Sequence, residues 1–141
     1  MSPEEITLTQ LQIAECQLDR ALKLFLDESD YACAITLAGA SEEILGKLLE
    51  RAGEKHALAE FIEGCVRTGK VIFGEEWPAK HFADMANYFR NGLKHLTADE
   101  VLTIPREAAI EMLDRAVENH WKLTGIETPR IRRFMEVAHG A

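Results

Sequence analysis

The sequence predicts an all-α protein, an antiparallel up-and-down four-helix bundle with additional short helices. Two observations favour this fold class. Apolar residues recur every three or four positions along most of the chain, which is the spacing of helices with one buried face. Capping residues, glycines and prolines divide the pattern into four long helices and two short ones. The 141 residues are expected to form a single domain, with the bundle at about 8–124 and a short C-terminal helix at about 129–138.

The first two long helices are separated by an acidic turn at residues 27–30. The first helix is expected to open at the helix-start signature of residues 2–5, or equally at Thr7 or Thr9. The second is expected to run from Tyr31 to Ala52, and it is rich in small residues. Each glycine inside it costs about 1 kcal/mol relative to alanine, so we expect a neighbouring helix or a second subunit to approach closely there.

Two segments flank the central helix. A short helix is expected from His56 to Thr68, followed by a loop, because the apolar residues between Gly69 and Gly74 are too few and isolated for a sheet. A long helix begins with Pro105 in its first turn and closes at Gly125.

The central helix is expected from Trp77 to Thr97. On a helical wheel its apolar residues fall within a sector of about 100°, which is one buried face: Phe82, Met85, Ala86, Phe89, Leu93 and Leu96. The same wheel directs a polar set away from this face, namely Asp84, Tyr88, Arg90, Asn91 and His95. We therefore expect this polar set to be available to a ligand or a partner.

Charge and cysteine content limit the possible functions. A formal net charge of −8 argues against loose, charge-driven association with nucleic acid or anionic membranes, so any polyanion site must be local. Cys16, Cys33 and Cys65 are widely spaced, which is typical of reduced core residues in a cytoplasmic protein. No signal peptide or membrane-spanning run is recognised, and no histidine shows metal-ligand spacing, so neither a metal nor another cofactor is expected.

Arg90 and His95 are the residues with the clearest chemistry. Arginine is a permanent cation that matches phosphate oxygens, whereas histidine titrates near neutral pH and can transfer a proton. Together they meet the minimum for cleaving an RNA phosphodiester without a metal, since the 2′-hydroxyl supplies the nucleophile. On one ideal helix the two residues lie about 140° apart, so we expect a two-fold dimer to bring a second copy of each into one cleft.

The segment Arg90, Asn91, Gly92, Leu93, Lys94, His95 matches the R-(polar)-x3-H pattern and resembles the HEPN superfamily. The small-residue segment at 34–45 is similar to the second helix of that superfamily, which carries an acid. The resemblance implies a dimeric four-helix bundle. It also implies metal-independent ribonuclease activity, often in toxin–antitoxin or defence systems.

The same resemblance implies roles for individual residues. Arg90 and His95 would be catalytic and Asn91 would assist them, while the helix-two acid would be Glu43, with Glu42 left open. Tyr88 and Lys94 are auxiliary or substrate-binding candidates, and Tyr88 could instead lie in a dimer interface. The implied partners are a second copy of the chain, RNA or a nucleotide, and a cognate antitoxin protein, with no membrane.

Two other hypotheses remain open at this point. The first is a catalytically inactive dimer that uses the same cleft to bind a nucleotide, RNA or a partner protein, because an acidic chain gives an RNA-cutting enzyme little electrostatic help. The second is a purely structural role, in which Arg90 pairs with an acid of another chain across an obligate interface.

Overall fold

A computed structural model describes residues 4–95 and 101–140, and within that part the chain is helical, with no strand. The all-α prediction is therefore confirmed. The described residues form seven helices: α1 (Gln10–Glu28), α2 (Tyr31–Arg51), α3 (Ala57–Phe73), α4 (Ala79–Ala86), α5 (Tyr88–Lys94), α6 (Arg106–Thr124) and α7 (Pro129–His139).

Helices α1 and α2 form an antiparallel hairpin. Of the starts considered for α1, Thr9 is the one observed, and its hydroxyl accepts from the backbone N–H of Gln12 in a capping box. The chain reverses at residues 29–30, where Asp30 caps α2 through the backbone N–H of Cys33. Further along the hairpin the hydroxyl of Ser41 donates to the backbone carbonyl of Ala14, at 2.7 Å.

Helix α6 packs along α2 in the same direction, and α7 closes the core from outside. The core is built from α1, α2 and α6, together with Ile131 and Phe134 of α7, which are both buried. Phe134 meets Phe25 of α1 edge to face, with ring centroids 5.5 Å apart. The C-terminal helix is thus part of the core rather than an addition to it.

Helix α3 is longer than the sequence analysis predicts. It continues through residues 70–73 and ends at Gly74, which takes a left-handed conformation with φ 65°. Gly69 does not interrupt it, because that glycine lies against the indole of Trp77. A Cβ at Gly69 would lie 2.5 Å from Trp77 Cδ2. The first part of the predicted loop, up to residue 73, is therefore helical, and Gly69 permits a close side-chain contact.

The predicted continuous central helix is wrong in one respect: it is divided at Asn87 into α4 and α5. Asn87 is buried and leaves helical geometry, with φ −104° and ψ 9°. Helix α4 packs mainly against α3, whereas α5 packs against α2. Met85, predicted to be buried, is 54% exposed, and Leu96 and Thr97 lie outside the described residues.

Two further properties concern the surface. No helix in the described ranges is long and apolar enough to cross a membrane. The three cysteines are free, but Cys16 and Cys33 are exposed, so the expectation that they fill the core is wrong. Both lie on the solvent side of their helices, whose buried positions are occupied by other residues.

Candidate functional site

Arg90 lies between α5 and α2 and is largely covered. Its side chain is only 16% exposed, so the expectation that it points away from the protein interior is wrong. The arginine stem crosses Gly39 so closely that a Cβ at that position would lie 2.6 Å from Arg90 Cδ. The missing side chain of Gly39 therefore makes the space that Arg90 occupies. The wheel failed here because the break at Asn87 changes the orientation of α5 relative to α4.

The acid that faces Arg90 is Glu42 of α2. Glu42 is 5% exposed, and its Oε1 lies 3.5 Å from Arg90 Nη1. Glu43, the residue favoured by the sequence analysis, is exposed and pairs instead with Lys47 at 3.4 Å. The structure thus selects the alternative that the sequence left open. It also places the ion pair of Arg90 within its own chain, rather than with an acid of another chain as the structural hypothesis supposed.

Arg115 of α6 is the second cation on Glu42, and the sequence analysis missed it. Its Nε donates to Glu42 Oε2, its Nη1 donates to the carbonyl of Ala86 at 3.1 Å, and its Nη2 donates to Asn87 Oδ1 at 2.9 Å. One guanidinium therefore joins α2, the end of α4 and the break before α5. The available signal was its position three residues after Met112, at the border of the apolar stripe of α6.

The charges in this cluster do not cancel. Two guanidiniums share one carboxylate, so the group formed by Arg90, Arg115 and Glu42 carries an excess of one positive charge. Arg90 Nε is also buried and makes no hydrogen bond with the described residues. A local cationic centre thus exists in a chain of net charge −8, which is the kind of local site that the composition allowed.

The rest of the motif lies on the outside. Asn91, Lys94 and His95 are exposed, and their side chains make no hydrogen bond or ion pair with the described residues. His95 follows the last residue of α5 in an extended conformation, with φ −124° and ψ 141°, and its backbone N–H donates to the carbonyl of Asn91 at 3.0 Å. Tyr88 is exposed as predicted.

Within one protomer, the site residues fall into two groups. Arg90 belongs to a buried polar cluster with Glu42, Arg115 and Asn87, whereas the side chain of His95 is exposed and makes no hydrogen bond or ion pair with that cluster. The cluster can hold a guanidinium in a fixed orientation, and the exposed imidazole can exchange protons with solvent or a ligand. Among the described residues, no group of three His, Cys, Asp or Glu side chains could hold a metal ion.

No protein-family model, no curated protein and no solved structure matches this chain. The resemblance to the HEPN superfamily therefore stays a prediction based on the motif at residues 90–95 and on the small-residue second helix.

Proposed function

We propose that this protein is a HEPN-type, metal-independent endoribonuclease, acting as a cytoplasmic homodimer in a toxin–antitoxin or defence system and controlled by a cognate antitoxin protein. The observation that carries the proposal is the pairing of Arg90 with the buried Glu42 of the second helix, next to the segment that ends in the exposed His95. An arginine, a polar residue and a histidine at this spacing, with an acid of α2 behind the arginine, are what the resemblance implies.

In the proposed reaction, His95 takes the proton of the RNA 2′-hydroxyl and the 2′ oxygen attacks the adjacent phosphorus. The bond to the 5′ oxygen breaks, that oxygen receives a proton from an imidazolium of the site, and the products are a 2′,3′-cyclic phosphate and a 5′-hydroxyl. Arg90 stabilises the negative charge that builds up on the phosphoryl oxygens, and Asn91 positions the phosphate or the imidazole. Because Glu42 already orients Arg90, little reorganisation is needed during the reaction.

A second protomer completes the proposed site. Since Arg90 is covered and His95 is exposed within one chain, the two-fold arrangement would place the exposed side of α5 against that of its copy. The single cleft shared by the two chains would then contain imidazoles and guanidiniums from both. The excess positive charge of each Glu42 cluster would attract the RNA phosphate.

Activity is tested on single-stranded RNA in the presence of EDTA. We expect His95→Ala to lower the cleavage rate by about 10² to 10⁴, the usual contribution of a general acid–base. Arg90→Lys, which keeps a charge opposite Glu42, should also lose most activity because lysine lacks the planar two-pronged geometry. The matched control is His81→Ala, an exposed histidine on α4, which should retain full activity.

Circular dichroism and thermal unfolding establish that each variant is folded. Cleavage by both His95→Ala and Arg90→Lys at the rate of the unmodified protein would overturn the assigned roles. Cleavage that stops in EDTA would overturn the metal-independent chemistry.

The burial of Arg90 favours a second candidate function, a catalytically inactive dimer that binds a nucleotide, RNA or a partner protein. A guanidinium that is only 16% exposed and already paired with Glu42 has limited access to a reacting phosphate. Saturable binding of labelled RNA with no product after prolonged incubation would support this function over the first.

A further inference from the structure

A cavity of about 570 Å³ lies among α3, the α4–α5 pair and α6, apart from the residues assigned to RNA cleavage. Its volume is in the usual range for sites that bind small organic molecules. One side of the cavity is apolar and partly aromatic, consisting of Ala57, Phe61, Met85, Ala86 and Phe89. Phe61 and Met85 are both exposed, so apolar surface is open to a ligand.

The opposite wall is acidic. Glu111, Asp114 and Glu118 recur at three and four residues along α6, and all three line the cavity. Arg115 lines it as well, but its guanidinium is already bonded to Glu42, Ala86 and Asn87. Among the described residues, Arg115 is the one cation in the lining, and it is already bonded to these partners.

The carboxylates are only partly compensated. Asp114 accepts a hydrogen bond from His139 at 2.7 Å, and Glu118 lies 3.7 Å from Lys122 Nζ, which is closer to Glu60. Glu111 makes no ion pair with the described residues. Burial raises the pKa of the Asp114 carboxyl above its ordinary value, while the hydrogen bond from His139 acts in the opposite direction. The wall therefore carries negative charge, at Glu111 and Glu118, that a bound cation could neutralise.

We propose that this cavity binds a small organic cation with an aromatic or apolar body. The body would lie against Phe61, Met85 and Phe89, and the charged group would face Glu111 and Glu118. The ring faces of the two phenylalanines can also attract a cation. A ligand bearing a phosphate or carboxylate would be repelled by the same wall, so the site differs in chemistry from the proposed RNA site. The two sites share the side chain of Arg115, but the cation would be held by Glu111 and Glu118, which have no role in RNA cleavage.

Three probes that share a phenyl ring on a short chain, but differ in the charge of the terminal group, test the proposal: phenethylammonium, 2-phenylethanol and phenylacetate. Each is titrated into the ¹⁵N-labelled protein, and amide chemical shifts are followed at low salt. We expect phenethylammonium to saturate with millimolar affinity, localised to amides of α3, α4, α5 and α6 around the cavity. The neutral alcohol should bind about 10-fold more weakly, and phenylacetate should not saturate.

Single substitutions assign the binding to this wall. Glu111→Gln and Phe61→Ser should each weaken phenethylammonium binding by about 3- to 10-fold. The matched control is Glu107→Gln, an exposed acid one turn earlier on α6, which should leave the affinity unchanged.

Several results would overturn the proposal. Equal binding of the three probes would show that charge plays no part, and shifts spread over the acidic surface, or an equal effect of Glu107→Gln, would show nonspecific attraction. Absence of saturation would show that the cavity is not a small-cation site. Shifts of the same amides with protein concentration alone would assign the surface to a second copy of the chain.

Discussion

At the scale of single residues, Arg115 holds the candidate site together. Its guanidinium satisfies the buried carboxylate of Glu42, the last carbonyl of α4 and the side chain of Asn87. A buried charge is stable only when it is paired and hydrogen-bonded, so these contacts depend on one another. Glu42 in turn holds Arg90, and Arg115 therefore indirectly determines where Arg90 lies.

Replacing Arg115 by alanine should be strongly destabilising. We expect Arg115→Ala to lower the free energy of unfolding by about 3 kcal/mol, because Glu42 loses its closer partner while remaining buried. The matched control is Arg20→Ala on α1, an exposed arginine without an ion pair to the described residues, which should change stability by no more than about 0.5 kcal/mol. Urea unfolding measures both, and a loss below about 1 kcal/mol for Arg115→Ala would contradict this account.

At the scale of helices, the close approach of α5 to α2 depends on Gly39. Helix α5 has only seven residues, too short to be stable alone, so its position comes from its contacts. Arg90 lies across Gly39 and reaches Glu42 one turn further along α2. The glycine and the arginine thus form one packing unit.

A double-mutant cycle tests this unit, because the effect of Gly39→Ala on the free energy of unfolding should change sign when the Arg90 side chain is removed. In the unmodified protein, Gly39→Ala should destabilise by about 1–3 kcal/mol, because the new methyl group overlaps the arginine stem. In an Arg90→Ala background the same change should stabilise by about 1 kcal/mol, since the helix propensity of alanine is then gained without the overlap.

Gly64→Ala in α3 provides the comparison, because nothing lies within 4 Å of the position where its Cβ would be placed. Gly64→Ala should raise the free energy of unfolding equally in the unmodified protein and in the Arg90→Ala variant. Stabilisation of the unmodified protein by Gly39→Ala would show that Arg90 is not held as described.

At the scale of the whole molecule, the net charge of −8 means that the proposed RNA binding would depend on a few cations. Arg90 and Lys94 are the cations of α5, so the proposed dimer would offer about four cations to one RNA segment. For single-stranded RNA the logarithm of the binding constant should therefore fall against the logarithm of salt concentration with a slope no steeper than about −3.

Lys94→Ala should make this slope shallower by about 1.4, as two phosphate contacts are lost per dimer. Arg132→Ala on α7, an exposed arginine away from α5, should leave it unchanged. A slope steeper than about −5, or an equal effect of Arg132→Ala, would indicate that RNA follows the basic residues of α7 instead. Fluorescence anisotropy of labelled RNA across a salt series gives the slope for the unmodified protein and for both variants.

Local features of the chain explain which parts of the fold were predictable. The range of α2 and the Gly125 end of α6 follow from capping and periodicity within one residue, whereas Thr9 was only one of three possible starts of α1. The extension of α3 was missed because Gly69 looks like a stop signal until Trp77 is placed against it. The division of the central helix was missed for a similar reason, as the partner of Asn87 lies on α6.

The sequence by itself determined that this protein is helical and where α2 and α6 end, and it led to the prediction that Arg90 and His95 are site residues. These depend on interactions between residues a few positions apart. Only the tertiary structure decided that Arg90 is covered, that Glu42 rather than Glu43 pairs with it, and that Arg115 belongs to the same cluster. A buried charge takes its partner from whichever helix lies next to it, and helices far apart in the chain become neighbours only when it folds.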